Sequence, residues 1–236
     1  VTTNEEGNEV AILQEIEEIA IAKIGETEYT TLADAVEAAT ENSEETTIIE
    51  IIADFEISKA VEIPENKNVT IDLVGHEVRT YAKGGITNKG TLTITDSTEE
   101  GTGKIISNIG IGISNEGNFI LTNGIIESND YGVYNYNEGN VIVEGGTVKG
   151  NTYGIENINN TNMTISGGTI QGNEYGIFNN VSNNTSILTV TGGTIVTTRT
   201  DTYGIYNQYG TINIEGGEIE GIYSNRATIN VSGGII

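Results

Sequence analysis

Short apolar and polar segments alternate along this chain, and from residue 85 onward they recur in a fixed order. The phrase Gly-Ile/Val-x-Asn occupies 85–88, 112–115, 132–135, 154–157, 176–179 and 204–207, and a seventh copy at 221–224 ends in Ser224. A second phrase, apolar-x-apolar-x-Gly-Gly-x-apolar, occupies 141–148, 163–170, 188–195, 212–219 and 229–236. Such a period, about 22 residues built from short alternating segments, is the signature of a solenoid of strands. One repeat cannot bury its apolar face alone, so stacking of repeats is the fold.

The segment from Phe119 to Ile126 has the same length in each later repeat, for example Val141 to Val148 and Leu188 to Ile195, whereas the two other stretches vary. Each repeat therefore has one rigid corner and two that accept insertions. Residues of like parity face the same way along a strand. That stacks Ile86, Ile113, Val133, Ile155, Ile177, Ile205 and Ile222 in one interior column. Leu92, Phe119, Val141, Met163, Leu188, Ile212 and Ile229 form a second, and Ile105, Ile126, Val148, Ile170, Ile195, Ile219 and Ile236 a third. Three columns predict three faces: an all-β, single-stranded parallel β-helix of triangular section. The crossover rule predicts a right-handed one. Asn88, Asn115, Asn135, Asn157, Asn179 and Asn207 recur at one turn per repeat, where stacked amides can bond up and down a structural ladder. The paired glycines predict positive φ or a close backbone approach at the rigid corner.

The start of the chain reads differently. Residues 1–24 are Glu-rich and read as an acidic linker or the tail of a preceding region, and 25–66 as an N-terminal cap with the first turn. Within that cap a helix is expected over about 31–40, with Thr31 as N-cap, Asp34 as its capping-box partner and Leu32, Ala35, Val36 and Ala39 on one face. Strands are expected over 46–52 and 69–74. Residues 67–236 are the solenoid proper. The sequence stops within a repeat at Ile236, so the solenoid is expected to continue beyond 236 in a parent protein, or to meet another subunit end to end.

Composition narrows the partners. The formal charge of the 236 residues is −24, with 10 Lys and Arg against 34 Asp and Glu, which argues against nucleic acid and anionic membranes. Without cysteine there is no disulfide staple and no thiolate zinc site. No apolar run reaches the roughly 18–20 residues of a spanning helix, so no membrane insertion is expected.

Ala22-Lys23-Ile24-Gly25, the run Tyr29-Thr30-Thr31-Leu32-Ala33-Asp34-Ala35-Val36 and the run Asn68-Val69-Thr70-Ile71-Asp72-Leu73-Val74-Gly75-His76 carry a resemblance. They resemble the opening of pectin-lyase-like right-handed β-helix domains, and more narrowly the non-enzymatic, adhesive versions in surface proteins of Gram-positive bacteria. The resemblance covers about residues 20–236. It implies an extracellular or cell wall-attached setting and a stalk or adhesive role. It also implies a rival, since polysaccharide lyases and hydrolases share the fold. Lyases of that kind place an Arg or Lys beside carboxylate-bound calcium, but Arg79, Arg199 and Arg226 have no adjacent Asp cluster in the repeat. Hydrolases need converging carboxylates, whereas Asp72, Asp96, Asp130 and Asp201 are scattered. Gly75-His76 is followed by Glu77 where galacturonases carry a second glycine. No catalytic residue is assigned, and no cofactor is expected. Glu127, Asp130 and Glu144 are the candidates for calcium.

One outward stripe remains, between the interior Ile and the ladder Asn: Tyr134, Glu156, Phe178, Tyr206 and Tyr223. With Arg226, three residues past Tyr223, its aromatics are a candidate ligand face for a carbohydrate or a host or cell-surface protein. The structural alternative is that the rings only stack and cover the sheet. Tyr131, Tyr153, Tyr175 and Tyr203, each preceding a repeat Gly, read as interior or corner packing.

Overall fold

The computed structural model describes residues 2–3, 9–10, 19–42, 44–159, 162–181 and 185–236. About eight turns of parallel β-solenoid run along three sheets. Every turn visits the sheets in the same order. In turn five, Asn140–Val143 lies in sheet one, Thr147–Gly150 in sheet two and Tyr153–Ile158 in sheet three. The first turn is Thr46–Ile51, Phe55–Ile57 and Val61–Ile63. Thr228–Val231 adds a last strand to sheet one.

Register follows the apolar columns. Ile155 pairs with Ile177 and Ile177 with Ile205 in parallel, and all three are fully buried. The second and third columns pair in the same way, as in Val141 with Met163 and Val148 with Ile170. Sheet one carries a further apolar column beyond the three predicted, through Ile94, Leu121, Val143, Ile165, Val190 and Ile214, all fully buried. Its strands are long enough to turn two alternate side chains inward. In sheet two the second inward position is small or polar, as at Ser107, Ser128, Gly150 and Gly172. There the corner into sheet three is tight: a Cβ on Gly150 would lie 1.8 Å from the Tyr153 carbonyl oxygen.

The two glycines of the rigid corner do different jobs. A Cβ on the first, Gly145, Gly167, Gly192, Gly216 or Gly233, would fall 2.1–2.4 Å from a carbonyl oxygen of the turn before. The second, Gly146, Gly168, Gly193, Gly217 or Gly234, has φ between 67° and 86°. Both conditions exclude a side chain.

The N-terminal end is built as a cover. The helix spans Leu32–Ala38, shorter than expected, because Ala39 leaves helical geometry at ψ 148°. Thr31 Oγ1 accepts from the Asp34 N–H at 3.1 Å and donates to the Asp34 carboxylate at 2.6 Å. Leu32, Ala35, Val36 and Ala39 are buried against the first turn. No basic residue lies in the last helical turn. Lys67, only 4 % exposed, arrives from the start of turn two and donates to the carbonyls of Val36 at 2.8 Å, Ala39 at 2.9 Å, and Glu37. It thus caps the carbonyl end of a helix about thirty residues away.

Most of the segment read as a linker over 1–24 lies outside the described residues. Within it, Thr2–Thr3 pairs antiparallel with Glu9–Val10. Ala22–Ile24 is a strand of sheet one, antiparallel to both Thr27–Tyr29 and Thr46–Ile51. The expected strands at 46–52 and 69–74 are Thr46–Ile51 and Asn68–Asp72, the latter ending before Val74 turns to φ 46°. Asp96 then holds the longest early corner. It is buried and accepts from Thr98 Oγ1 at 2.7 Å, the Thr98 N–H at 2.9 Å, the Gly75 N–H at 3.2 Å and the Gly103 N–H. Burial pushes its carboxyl up, but these donors outweigh it and hold the group below the usual carboxylate range.

Candidate functional site

Sheet three carries both polar features of the repeat, one on each side. The inner side holds the ladder. Its six asparagines end or nearly end their strands rather than sitting in the turn, point inward and are at most 1 % exposed. Asn88 Nδ2 donates to Asn115 Oδ1, Asn115 to Asn135 and Asn135 to Asn157, each at 2.7 Å. Asn157 donates to Asn179 at 2.6 Å, and Asn179 donates to Asn207. Backbone carbonyls take the same nitrogens' remaining capacity, as Asn118 does for Asn88 at 2.9 Å and Gly139 for Asn135 at 2.9 Å. The ladder ends where the sequence changes. Ile63 stands before Asn88 and Ser224 after Asn207. Asn88 Oδ1, Asn207 Nδ2 and Ser224 Oγ have no hydrogen-bond partner among the described residues.

The outer side holds an aromatic ribbon wider than the predicted stripe. Tyr134, Glu156, Phe178, Tyr206 and Tyr223 lie in parallel register at one outward position. Tyr131, Tyr153, Tyr175 and Tyr203 do not turn inward, which corrects the parity reading. They stand beside the stripe, partly exposed, with Tyr203 at 40 %. The cause is the glycine that follows each of them. Gly132 and Val133 are both buried, so two consecutive residues face inward and the flanking tyrosines both face outward. Only glycine fits there: a Cβ on Gly132 would lie 2.5 Å from Val148 Cγ1. The Tyr-Gly-Ile triplet was the available signal, since a glycine at interior parity needs no room for a side chain.

The rings stack along the solenoid. Tyr131 and Tyr153 lie 5.4 Å apart at 6°, Tyr153 and Phe178 4.6 Å at 16°, Phe178 and Tyr206 5.0 Å at 27°, and Tyr206 and Tyr223 4.9 Å at 18°. Near-parallel rings this close overlap face to face. Faces are spent on neighbours, and edges and phenol oxygens are what the ribbon offers. Tyr223, at the end of the stack and 39 % exposed, is the most open of the predicted stripe rings.

Glu156 interrupts the stripe. Burial first, and the Asp130 carboxylate second, push its carboxyl up to about 7. Burial also raises the Tyr131, Tyr134 and Tyr153 phenols, with Glu156 adding to each. Arg226 does not flank Tyr223 as a free donor. It sits at the next corner with φ 57°, where Nη1 donates to Tyr209 Oη at 3.0 Å.

The residues weighed for catalysis stay apart, with one exception. His76 Nδ1 lies 3.0 Å from Asp54 Oδ1, one turn earlier, and Asp54 also accepts from the Glu77 N–H at 2.9 Å. The Glu77 N–H first, then His76, hold the Asp54 carboxyl below its usual value. Arg79 pairs with Glu77 beside them. Arg199 is engaged by Asp201 at 3.1 Å. Of the three calcium candidates, Glu127 borders a polar corner with Lys149 and Gln171, Asp130 precedes Tyr131 and Glu144 lies in the next turn. Among the described residues no three His, Asp or Glu side chains gather as a metal site. No described helix is long and apolar enough to cross a membrane. Neither a family model, nor a curated protein, nor a solved structure matches the chain.

Proposed function

We propose that this chain is a non-catalytic structural and adhesive segment of a larger exported protein, of the pectin-lyase-like kind carried on Gram-positive surfaces. The observation that carries the reading is the aromatic ribbon: a continuous band of partly exposed rings on one face of an otherwise polar, strongly acidic rod. The ring geometry bears on the partner. A sugar stacks on an open aromatic face, and here most faces are turned onto other rings. A protein surface meeting edges and phenol oxygens fits the ribbon better than a glycan, and Tyr223 is the best place for a glycan. The Tyr206→Ser, Tyr223→Ser double variant tests it. Lost adhesion to cells or to a glycan array, with unchanged circular dichroism and melting, supports a contact face. Unchanged adhesion, or loss of folding alone, makes the ribbon packing.

A second reading, polysaccharide cleavage, is favoured by the Asp54, His76 and Arg79 grouping alone. It requires that polygalacturonate release unsaturated or reducing ends, and that His76→Ala or Arg79→Ala abolish the release. The proposed function expects no release with or without calcium, because an acidic rod repels an acidic polymer.

A further inference from the structure

The stripe is interrupted at one register position, although Tyr131 and Tyr153, stacked 5.4 Å apart, keep the ribbon continuous beside it. Tyr134 and Phe178 occupy the same outward position two turns apart, and Glu156 stands between them. Tyr134 stacks on Tyr131 and Tyr136, and Phe178 on Tyr153, Tyr175 and Tyr206. No ring contact bridges Tyr134 to Phe178 or to Tyr153. The gap is floored by a partly buried carboxyl with no hydrogen bond and no ion pair to any described residue. The charges around it offer no cation. Asp130 precedes Tyr131 and Glu174 precedes Tyr175 at the neighbouring corner, and the phenols are those of Tyr131, Tyr134 and Tyr153. The nearest arginine along the ribbon, Arg199, is held by Asp201.

We propose that this gap at Glu156 binds an organic ammonium group, of the kind a lysine side chain of a protein partner carries. A half-buried carboxylate without a partner is unstable, and a cation satisfies it. The phenol oxygens of Tyr131, Tyr134 and Tyr153 attract the same charge, and the ring edges beside them accept an alkyl stem. A hard metal ion is served less well, because it needs several oxygen ligands and this gap has one carboxylate. The protein alone meets the deficit by holding a proton to about neutral pH. Ammonium binding therefore displaces that proton, so affinity rises as pH is raised through 7. The site lies in the same ribbon and rests on its reading as a contact face.

The test is an NMR titration of the full chain with n-butylammonium chloride, against sodium chloride at equal ionic strength. At pH 8, saturable shifts of the Tyr134, Tyr153 and Phe178 ring signals are expected. At pH 5.5, apparent affinity should fall by about tenfold or more. Glu156→Gln, which mimics the protonated form the protein already tolerates, should abolish the shifts, as should Glu156→Tyr, which completes the ring column. Equal shifts with sodium chloride, unchanged affinity at pH 5.5, or wild-type binding by Glu156→Gln would each overturn the proposal. Tighter binding of tetramethylammonium would overturn the lysine assignment. The titration needs no adhesion, so its failure and that of the Tyr206, Tyr223 test are separate results.

Discussion

Replacing Asn157 by leucine cuts the ladder at its middle. The Asn157 amide accepts from Asn135 Nδ2 at 2.7 Å and donates to Asn179 Oδ1 at 2.6 Å. Leucine is similar in size and branching and removes both bonds without opening a large cavity. The two neighbours are affected unequally. Asn135 Nδ2 keeps the Gly139 carbonyl at 2.9 Å, whereas Asn179 Oδ1 loses its ladder donor inside a closed core. A buried acceptor stripped of its donor costs about 1–3 kcal/mol. In a chain of this size that lowers the melting temperature by roughly 2–4 °C per kcal/mol. Thermal unfolding followed by circular dichroism, with Thr164→Leu on the outer face as control, reads the difference. Asn157→Asp sharpens the test. Its carboxylate would oppose the Asn179 oxygen, while its protonated form can donate to it. The folded-state pKa of that Asp should therefore be raised. Its stability deficit relative to wild type should be small below the unfolded carboxyl value of about 3.9 and grow as pH rises above it. A leucine variant melting with the wild type, or an aspartate variant whose deficit ignores pH, would refute the argument that the ladder holds the core together.

Lys67→Met should cost about 2–4 kcal/mol, because the Val36, Glu37 and Ala39 carbonyls lose a charged donor. Faster amide exchange confined to 32–39 and the first turn is the expected readout. Gly132→Ala should destabilise by about 1–3 kcal/mol, since its methyl would sit 2.5 Å from Val148 Cγ1 and 2.7 Å from the Gly154 carbonyl. Denaturant midpoints against wild type measure it. Asp96 has a lowered folded-state pKa, so its contribution is present above the unfolded carboxyl value and lost as pH falls through the folded one. Asp96→Asn should therefore be less stable than wild type at pH 7, with the gap narrowing towards pH 3.

Apolar parity made the solenoid readable, because a column repeated in every turn is the same information written many times. Ile155, Ile177 and Ile205 could be placed inside from spacing alone, and each rigid-corner glycine could be assigned a backbone reason. Features made once were hidden. Nothing near Lys67 in the chain says that its ammonium closes a helix about thirty residues earlier. Ala22–Ile24 reads Ala-Lys-Ile, three residues that do not by themselves announce a strand, and becomes one because the Thr46–Ile51 edge is there to pair with. Parity alone puts the tyrosines of Tyr-Gly-Ile inside or at a corner, because strict alternation does not allow for Gly132, a residue that can occupy an inward position without filling it. The Glu156 gap was visible as an odd letter in an aromatic column, but its missing cation is a fact of three-dimensional neighbours.

Every amide in the ladder donates in the same sense, from Asn88 towards Asn207. The column therefore has a direction, and the direction is collective. Turning one amide over would set oxygen against oxygen on one side and NH2 against NH2 on the other, so a reversal relaxes only when the entire row reverses. The carbonyls of Asn118, Gly117, Asn140 and Gly139 decide the choice, because they all lie where a nitrogen is needed. The row behaves as a single binary variable, written once along six turns and held by the main chain. It leaves an unspent acceptor at Asn88 and an unspent donor at Asn207, so the interior of this rod has a head and a tail as definite as those of the polypeptide itself.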